Sequence, residues 1–180
     1  DYPKPYVAYM NGLVMGGGVG LAAHGIHRIV TEKTMLGMPE AGLGFFPDVG
    51  GTWLLSRMPG ELGTYYGLTG QPMTGLDAIY TGVADALIAS ADWPALRDAL
   101  ANAPLRASCA DVNGIIRSFA AGDAVAPIAH HRDLIYRAFA FNAVEDIVAA
   151  LAQDGSEFAR ATLATLMEKS PRGLKVTLEL

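Results

Sequence analysis

Cysteine is nearly absent: Cys109 stands alone among 180 residues. That excludes an internal disulfide framework and suits a reducing compartment. No apolar run reaches the roughly 20 residues that a membrane helix needs, so no membrane partner is expected. Charge is sparse, at 17% of residues with a net charge of -5. A broad basic footprint for nucleic acid is therefore lacking. No GK[ST] follows the glycines, which excludes a P-loop, and no GxSxG marks a nucleophile elbow. No Cys/His cluster has zinc spacing, so no metal is expected. The opening "DYPKPYVAYMNG" has neither an initiator Met nor a signal-peptide pattern. "PRGLKVTLEL" ends inside a helical pattern. Both ends lead us to expect an interior piece of a longer polypeptide.

What is present is apolar and glycine-rich. Hydrophobic residues make up 51%, with 21 glycines, enough for a sizeable core. "PYVAYM" (5–10) reads as a strand running into the Asn11-Gly12 turn. "VGLAAH" (19–24) reads as a two-turn helix stopped by Gly25, and "IHRIVTE" (26–32) as a second strand. "TMLGM" (34–38) reads as a shorter third strand, which suggests a βαβ-like unit. Residues 39–51 form an ordered apolar loop. Helical pieces follow at 52–58, 61–68 and 75–82, with a closing strand within 84–89. Beyond about 90–105 the apolar spacing is helical throughout, and Asp154-Gly155-Ser156 reads as a stop followed by a new N-cap.

Two features could carry chemistry. Gly18-Val19-Gly20-Leu21-Ala22-Ala23 fits GxGxxA, but Gly25 ends the helix too early for a dinucleotide fold. Successive glycines before a short helix leave backbone N–H groups free for an oxyanion; close helix–strand packing explains the same glycines equally well. Glu40 and Asp48 lie in "MPEAGLGFFPDVGG", among apolar residues that make an ionised group costly to bury. Prolines and glycines can fold this loop back and bring the two acids together; turn capping is the alternative. His24, His27, His130 and His131 show no shared ligand face. Cys109 reads as a partly buried structural thiol, and Tyr65-Tyr66 as core.

The segments "NG…GGGVGL", "MPEAGLGFFPDVGG", "FNAVEDIVAALAQDGSEFA" and "KSPRGLKVTL" resemble the enoyl-CoA hydratase/isomerase, or crotonase, superfamily over nearly the whole chain. Within it they resemble the branch that hydrolyses 3-hydroxyacyl-CoA thioesters of valine degradation, such as 3-hydroxyisobutyryl-CoA. The resemblance implies an α/β fold: crotonase-like stacked ββα units, here partial, over 1–90, then an all-helical C-terminal region over 91–180. It implies that Gly17 donates to the thioester carbonyl, with Gly16 and Gly18 beside it at the substrate. It makes Glu40 the catalytic carboxylate and Asp48 a second acid. Gly20 stands where hydratases carry their first catalytic glutamate, which disfavours hydration. The implied partner is an acyl-CoA, with coenzyme A part of the substrate and no separate cofactor. A homo-oligomer is expected through the helical end, together with an N-terminal portion that supplies the other oxyanion donor. The alternatives are a hydratase or isomerase of the same fold and a non-catalytic binding or assembly fragment. Abundant Ala and Gly point to a bacterial cytoplasm; a mitochondrial matrix protein without its transit peptide would read similarly.

Overall fold

The computed structural model describes residues 4–104, 106–122 and 124–180. Val7–Met10 (β1) runs into a sharp turn at Gly12, whose φ of 99° only glycine adopts readily. Leu13–Met15 (β2) follows, then Gly17–Ala22 (α1), His27–Val30 (β3) and Met35–Gly37 (β4). β1 pairs with β3 in parallel, Val7 opposite His27 and Met10 opposite Val30. β2 pairs with β4 in parallel, Leu13 opposite Met35 and Met15 opposite Gly37.

After Gly51–Leu55 (α2) and Leu62–Thr69 (α3), Met73–Thr74 (β5) joins β4 antiparallel. Gly75–Tyr80 (α4) then leads to Ala86–Leu87 (β6), parallel to β3. The result is two three-stranded sheets, ordered β1-β3-β6 and β2-β4-β5.

The βαβ-like unit expected from the sequence is present, with β1 and β3 parallel and α1 between them in the chain, and a second sheet is added to it. The first two passes of the chain each leave a strand in the first sheet, turn a corner and leave a strand in the second, whereas β5 and β6 are joined through α4. β2 was missed because three residues give too little alternation to read. The corners are tied by polar side chains. Thr31 Oγ1 donates to Asn11 Oδ1 at 2.8 Å, Thr34 Oγ1 donates to the Met10 carbonyl at 2.7 Å, and Met35 N–H donates to the Gly12 carbonyl at 2.9 Å. β1 and β2 are edge strands, and the neighbouring Leu13 and Leu21 are each 76% exposed.

Trp93–Ala101 (α5) and Cys109–Arg117 (α6) cover one face of the first sheet. Leu96, Val112 and Ile116 pack there with Ile29, Ala86 and Ile88, and Tyr9 stacks on Trp93 at 3.8 Å. Cys109 sits exposed in the first turn of α6, not partly buried as expected, because the apolar stripe of α6 turns Val112 and Ile116 inward instead. Arg132–Phe139 (α7), Val144–Asp154 (α8), Glu157–Met167 (α9) and Pro171–Glu179 (α10) complete the chain. They enclose α3, which is apolar on every side and buries Leu62, Tyr65, Tyr66 and Leu68. The stop and restart read at Asp154-Gly155-Ser156 are present: Gly155 takes the left-handed cap position, and Ser156 accepts from Ala159 N–H. Among the described residues no helix is long and apolar enough to cross a membrane.

Candidate functional site

Glu40 opens a single 3-10 turn, Glu40–Leu43, inside the loop read from the sequence. Pro39 precedes it and Gly44, at φ 76°, stops it in the left-handed region, so the chain reverses within a few residues. The turn is wedged between two helix ends. Gly70, past the end of α3, backs onto Pro39, while Gly42 and Gly44 back onto Lys169 and Ser170 before α10. A side chain at Gly70 would press on Pro39, 3.2 Å away, whereas Gly42 and Gly44 stand at ordinary contact distance from Lys169 and Ser170. Glu40 is only 8% exposed. Its Oε2 is buried and has no hydrogen-bond partner among the described residues, a costly state for a carboxylate. Burial raises its pKa above the usual range, a backbone hydrogen bond partly offsets this, and the Asp48 charge raises it further.

The other Glu40 oxygen faces the glycines. A Cβ built on Gly16 would lie 2.9 Å from Glu40 Oε1. Gly16 itself, at φ 51°, donates its N–H to the Gly37 carbonyl at 3.1 Å. Its contribution is therefore clearance for the carboxylate rather than a free donor. Gly17 and Gly18 begin α1, with no side-chain cap and no acceptor for their N–H groups among the described residues. Such leading N–H groups have no partner within a helix. A Cβ on Gly17 would meet nothing within 4 Å, and one on Gly18 only Val14 at 3.7 Å. Close packing thus explains Gly16 but leaves Gly17 unexplained.

Gly20 is closed in a different way. A Cβ there would meet Val49 Cβ and Cγ2, each at 2.6 Å. Asp48, on the exposed loop before α2, accepts through its carbonyl from Gly51 N–H at 2.6 Å. Its side chain caps nothing, since α2 has no side-chain cap. The Asp48 charge is the smallest of the influences on the Glu40 pKa, and no hydrogen bond joins the two acids among the described residues.

The structure disperses the histidines. His24 is exposed, and its Nε2 bonds the Val49 carbonyl at 3.1 Å. His27 is buried on β3, and burial lowers its pKa, with Asp85 opposing. His131 stacks on Phe158 at 3.8 Å. Among the described residues no group of three His, Cys, Asp or Glu is placed to hold a metal. A groove of about 810 Å³ runs along the other flank of α1, lined by Tyr6, Leu21, His24 and Ile26; neither Glu40 nor Asp48 lines it. The involvement of Val49 and His24 was not readable. The only trace is a β-branched residue between Asp48 and a glycine pair, where a turn is forced.

Residues 1–180 match the family described as Enoyl-CoA hydratase/isomerase. The chain is 43% identical over 180 residues to the mitochondrial 3-hydroxyisobutyryl-CoA hydrolase of Xenopus tropicalis, covering 98% of this chain and 47% of that protein. It is 40% identical over 185 residues to small ribosomal subunit protein mS47 of Schizosaccharomyces pombe, covering 98% of this chain and 43% of that one. The solved structure of a carnitinyl-CoA dehydratase from Mycobacterium thermoresistibile superposes with a TM-score of 0.91 at 42% identity, covering 99% of this chain and 50% of that chain. The chain therefore spans about half the length of the relatives it matches.

Proposed function

Because the chain belongs to the enoyl-CoA hydratase/isomerase family and has the crotonase fold, we propose that it carries the carboxylate-bearing part of a site that hydrolyses 3-hydroxyacyl-CoA thioesters. The observation that carries this reading is the buried Glu40 carboxylate beside Gly16, with Oε2 unpaired and the free amide of Gly17 next in the chain. A scaffold gains nothing from a buried, unpaired acid, so the likeness to a ribosomal protein does not account for it.

The thioester carbonyl oxygen accepts from Gly17 N–H, and the donor binds the developing oxyanion more strongly than the ground state. Losing one such donor typically costs about 2.7–4 kcal/mol of barrier. Glu40 acts in one of two ways. In one route its oxygen bonds to the carbonyl carbon, the C–S bond breaks, coenzyme A leaves as the thiol after protonation, and water then cleaves the mixed anhydride. In the other route Glu40 removes a proton from water as the water oxygen bonds to the carbonyl carbon; the C–S bond then breaks and coenzyme A leaves as the thiol, protonated by Glu40. Asp48 binds the substrate's 3-hydroxyl. No separate cofactor is needed, since coenzyme A arrives with the substrate.

Hydrolysis is favoured over the dehydratase chemistry named for the solved relative, because position 20 has no room for a second glutamate beside Val49. We place the protein in a reducing compartment: a bacterial cytoplasm, or the matrix of a mitochondrion, the organelle in the names of the curated relatives.

The test is Glu40→Gln in the full-length protein. Thiol release from 3-hydroxyisobutyryl-CoA should fall by about 10²–10⁴-fold. The thermal midpoint at neutral pH should not fall, because Gln removes a charge that burial disfavours. Turnover near the wild-type rate would overturn the assignment. Labelled-water oxygen retained in Glu40 after a single turnover, or a Glu40 hydroxamate on quenching with hydroxylamine, selects the nucleophilic route; neither label nor hydroxamate selects the water route.

A further inference from the structure

We infer that His24 and Val49 form a latch between α1 and the Asp48 loop, which makes both positioning residues for Asp48. The part played by Asp48 in turnover rests on the hydrolase reading above, whereas the latch rests on geometry alone.

Val49 has φ of 45°, the one positive φ at a non-glycine among the described residues. A β-branched side chain is strained there, and such strain persists only where the surroundings hold it. Burial does not hold it, since Val49 is 46% exposed. Two contacts with α1 and its C-terminal end do. The Val49 side chain seats on Gly20, whose missing Cβ would lie 2.6 Å from Val49 Cβ. His24 Nε2–H donates to the Val49 carbonyl at 3.1 Å, an acceptor that fixes the proton on Nε2. The imidazole also lies over Gly50, 2.5 Å from where a Cβ would stand, and Gly50 too is left-handed, at φ 80°.

Asp48 immediately precedes this pinned pair of residues. Its carboxylate makes no hydrogen bond among the described residues, and its carbonyl accepts from Gly51 N–H at 2.6 Å. Val49 and Gly50 therefore determine where the Asp48 carboxylate points. When the latch opens, Val49 relaxes to a negative φ, the peptide between residues 48 and 49 rotates, and Asp48 is re-aimed. The same helix begins with Gly17, so the donor for the carbonyl and the aim of the second acid are set from one element. The seat of Val49 on Gly20 also closes position 20 to any side chain.

The experiment compares His24→Leu, His24→Gln and Val49→Gly in the full-length protein. Deuterium exchange is read over residues 45–51, and kcat and KM on a 3-hydroxyacyl-CoA and on the same acyl-CoA without the hydroxyl. His24→Leu should speed exchange over 45–51 and leave α7–α9 unchanged. It should lower kcat/KM on the hydroxylated substrate about tenfold, the size of one lost hydrogen bond, with a much smaller loss on the plain acyl-CoA. His24→Gln, which restores a donor of similar reach, should recover most of both effects. Val49→Gly should loosen the same segment although it relieves the strained φ. Unchanged exchange in His24→Leu, no recovery in His24→Gln, or equal losses on both substrates would overturn the latch. A wild-type protein without thioesterase activity would overturn the hydrolase reading instead, and the exchange measurement would still decide the latch.

Discussion

The helical half and the segment from Met15 to Gly51 differ in where their exceptions fall. Both bury apolar side chains, Phe139, Ile147, Leu151 and Leu166 in one and Val19, Ile29, Val30 and Leu36 in the other. In the helical half α6, α9 and α10 begin on capping hydroxyls, Ser108, Ser156 and Ser170, and Met167 is the large apolar residue left most exposed there. Between Met15 and Gly51 several exceptions sit close together. Leu21 and Leu43 are 76% and 82% exposed, while Glu40 is buried with an unpaired oxygen. Neither α1 nor α2 has a side-chain cap, and Val49 holds a strained backbone. A buried unpaired acid and a strained β-branched residue within ten positions of each other are departures of the kind that gather at functional sites, which is why the proposed site is put there.

The strongest test of this contrast removes bulk from the helical half. Phe139 is 1% exposed and meets the Tyr65 ring edge-on at 5.4 Å. Phe139→Ala should cost about 3–5 kcal/mol of stability in chemical denaturation. Turnover per folded molecule should stay at the wild-type value. A loss of kcat in the fraction that remains folded would show that the two regions are not separable.

A smaller effect probes the other half. The proposed hydrolysis through Glu40 needs its carboxylate form, so on that reading the rate should fall as pH drops through the Glu40 pKa. Burial is the main reason that pKa lies above the ordinary value of 4.5, and Asp48 adds the lesser push. Asp48→Asn should therefore move the acid limb of kcat to lower pH, stopping short of the ordinary value. It should also cost about tenfold more on 3-hydroxyacyl-CoA than on plain acyl-CoA, as expected for losing a hydrogen bond to a charged group. The linkage has a definite sign. The folded state binds the Glu40 proton more tightly than the unfolded state does, so this group's contribution becomes destabilising as pH rises between the two pKa values. Asp48→Asn should narrow that loss, read as a smaller fall in thermal midpoint over the same interval.

How legible each region was follows from the same contrast. Helix positions in the second half could be read because a 3.6-residue period and caps such as Ser156 are local signals. The α/β character of the first half was also legible from "PYVAYM" and "IHRIVTE". The closing strand was legible too, since β6 falls within 84–89, but the division into two sheets was not, because β2 and β5 are only three and two residues long. Glu40 stood out as an acid among apolar residues. The clearance at Gly16, the free amide at Gly17 and the Val49 seat on Gly20 depend on three-dimensional approach, which no spacing encodes. Gly16, grouped with Gly17 and Gly18 at the substrate, turned out to spend its N–H on Gly37.

The smallest effect concerns the caps themselves. Ser156 Oγ accepts from Ala159 N–H at 3.2 Å, closing the start of α9. Ser156→Ala should cost about 1 kcal/mol, a fall of about 2–4 °C in thermal midpoint for a chain of this size, and leave kcat unchanged. The reciprocal change offers a cap where none exists. Gly16→Ser places a hydroxyl before α1, but its Cβ would stand 2.9 Å from Glu40 Oε1 at a φ of 51°. The side chain would both strain the backbone and crowd the carboxylate, and its oxygen would compete for the Gly17 and Gly18 donors. Turnover should therefore fall with Gly16→Ser by far more than stability does, whereas Ser156→Ala moves stability alone. If Gly16→Ser kept full turnover, the open start of α1 would be a packing accident rather than a reserved pair of donors.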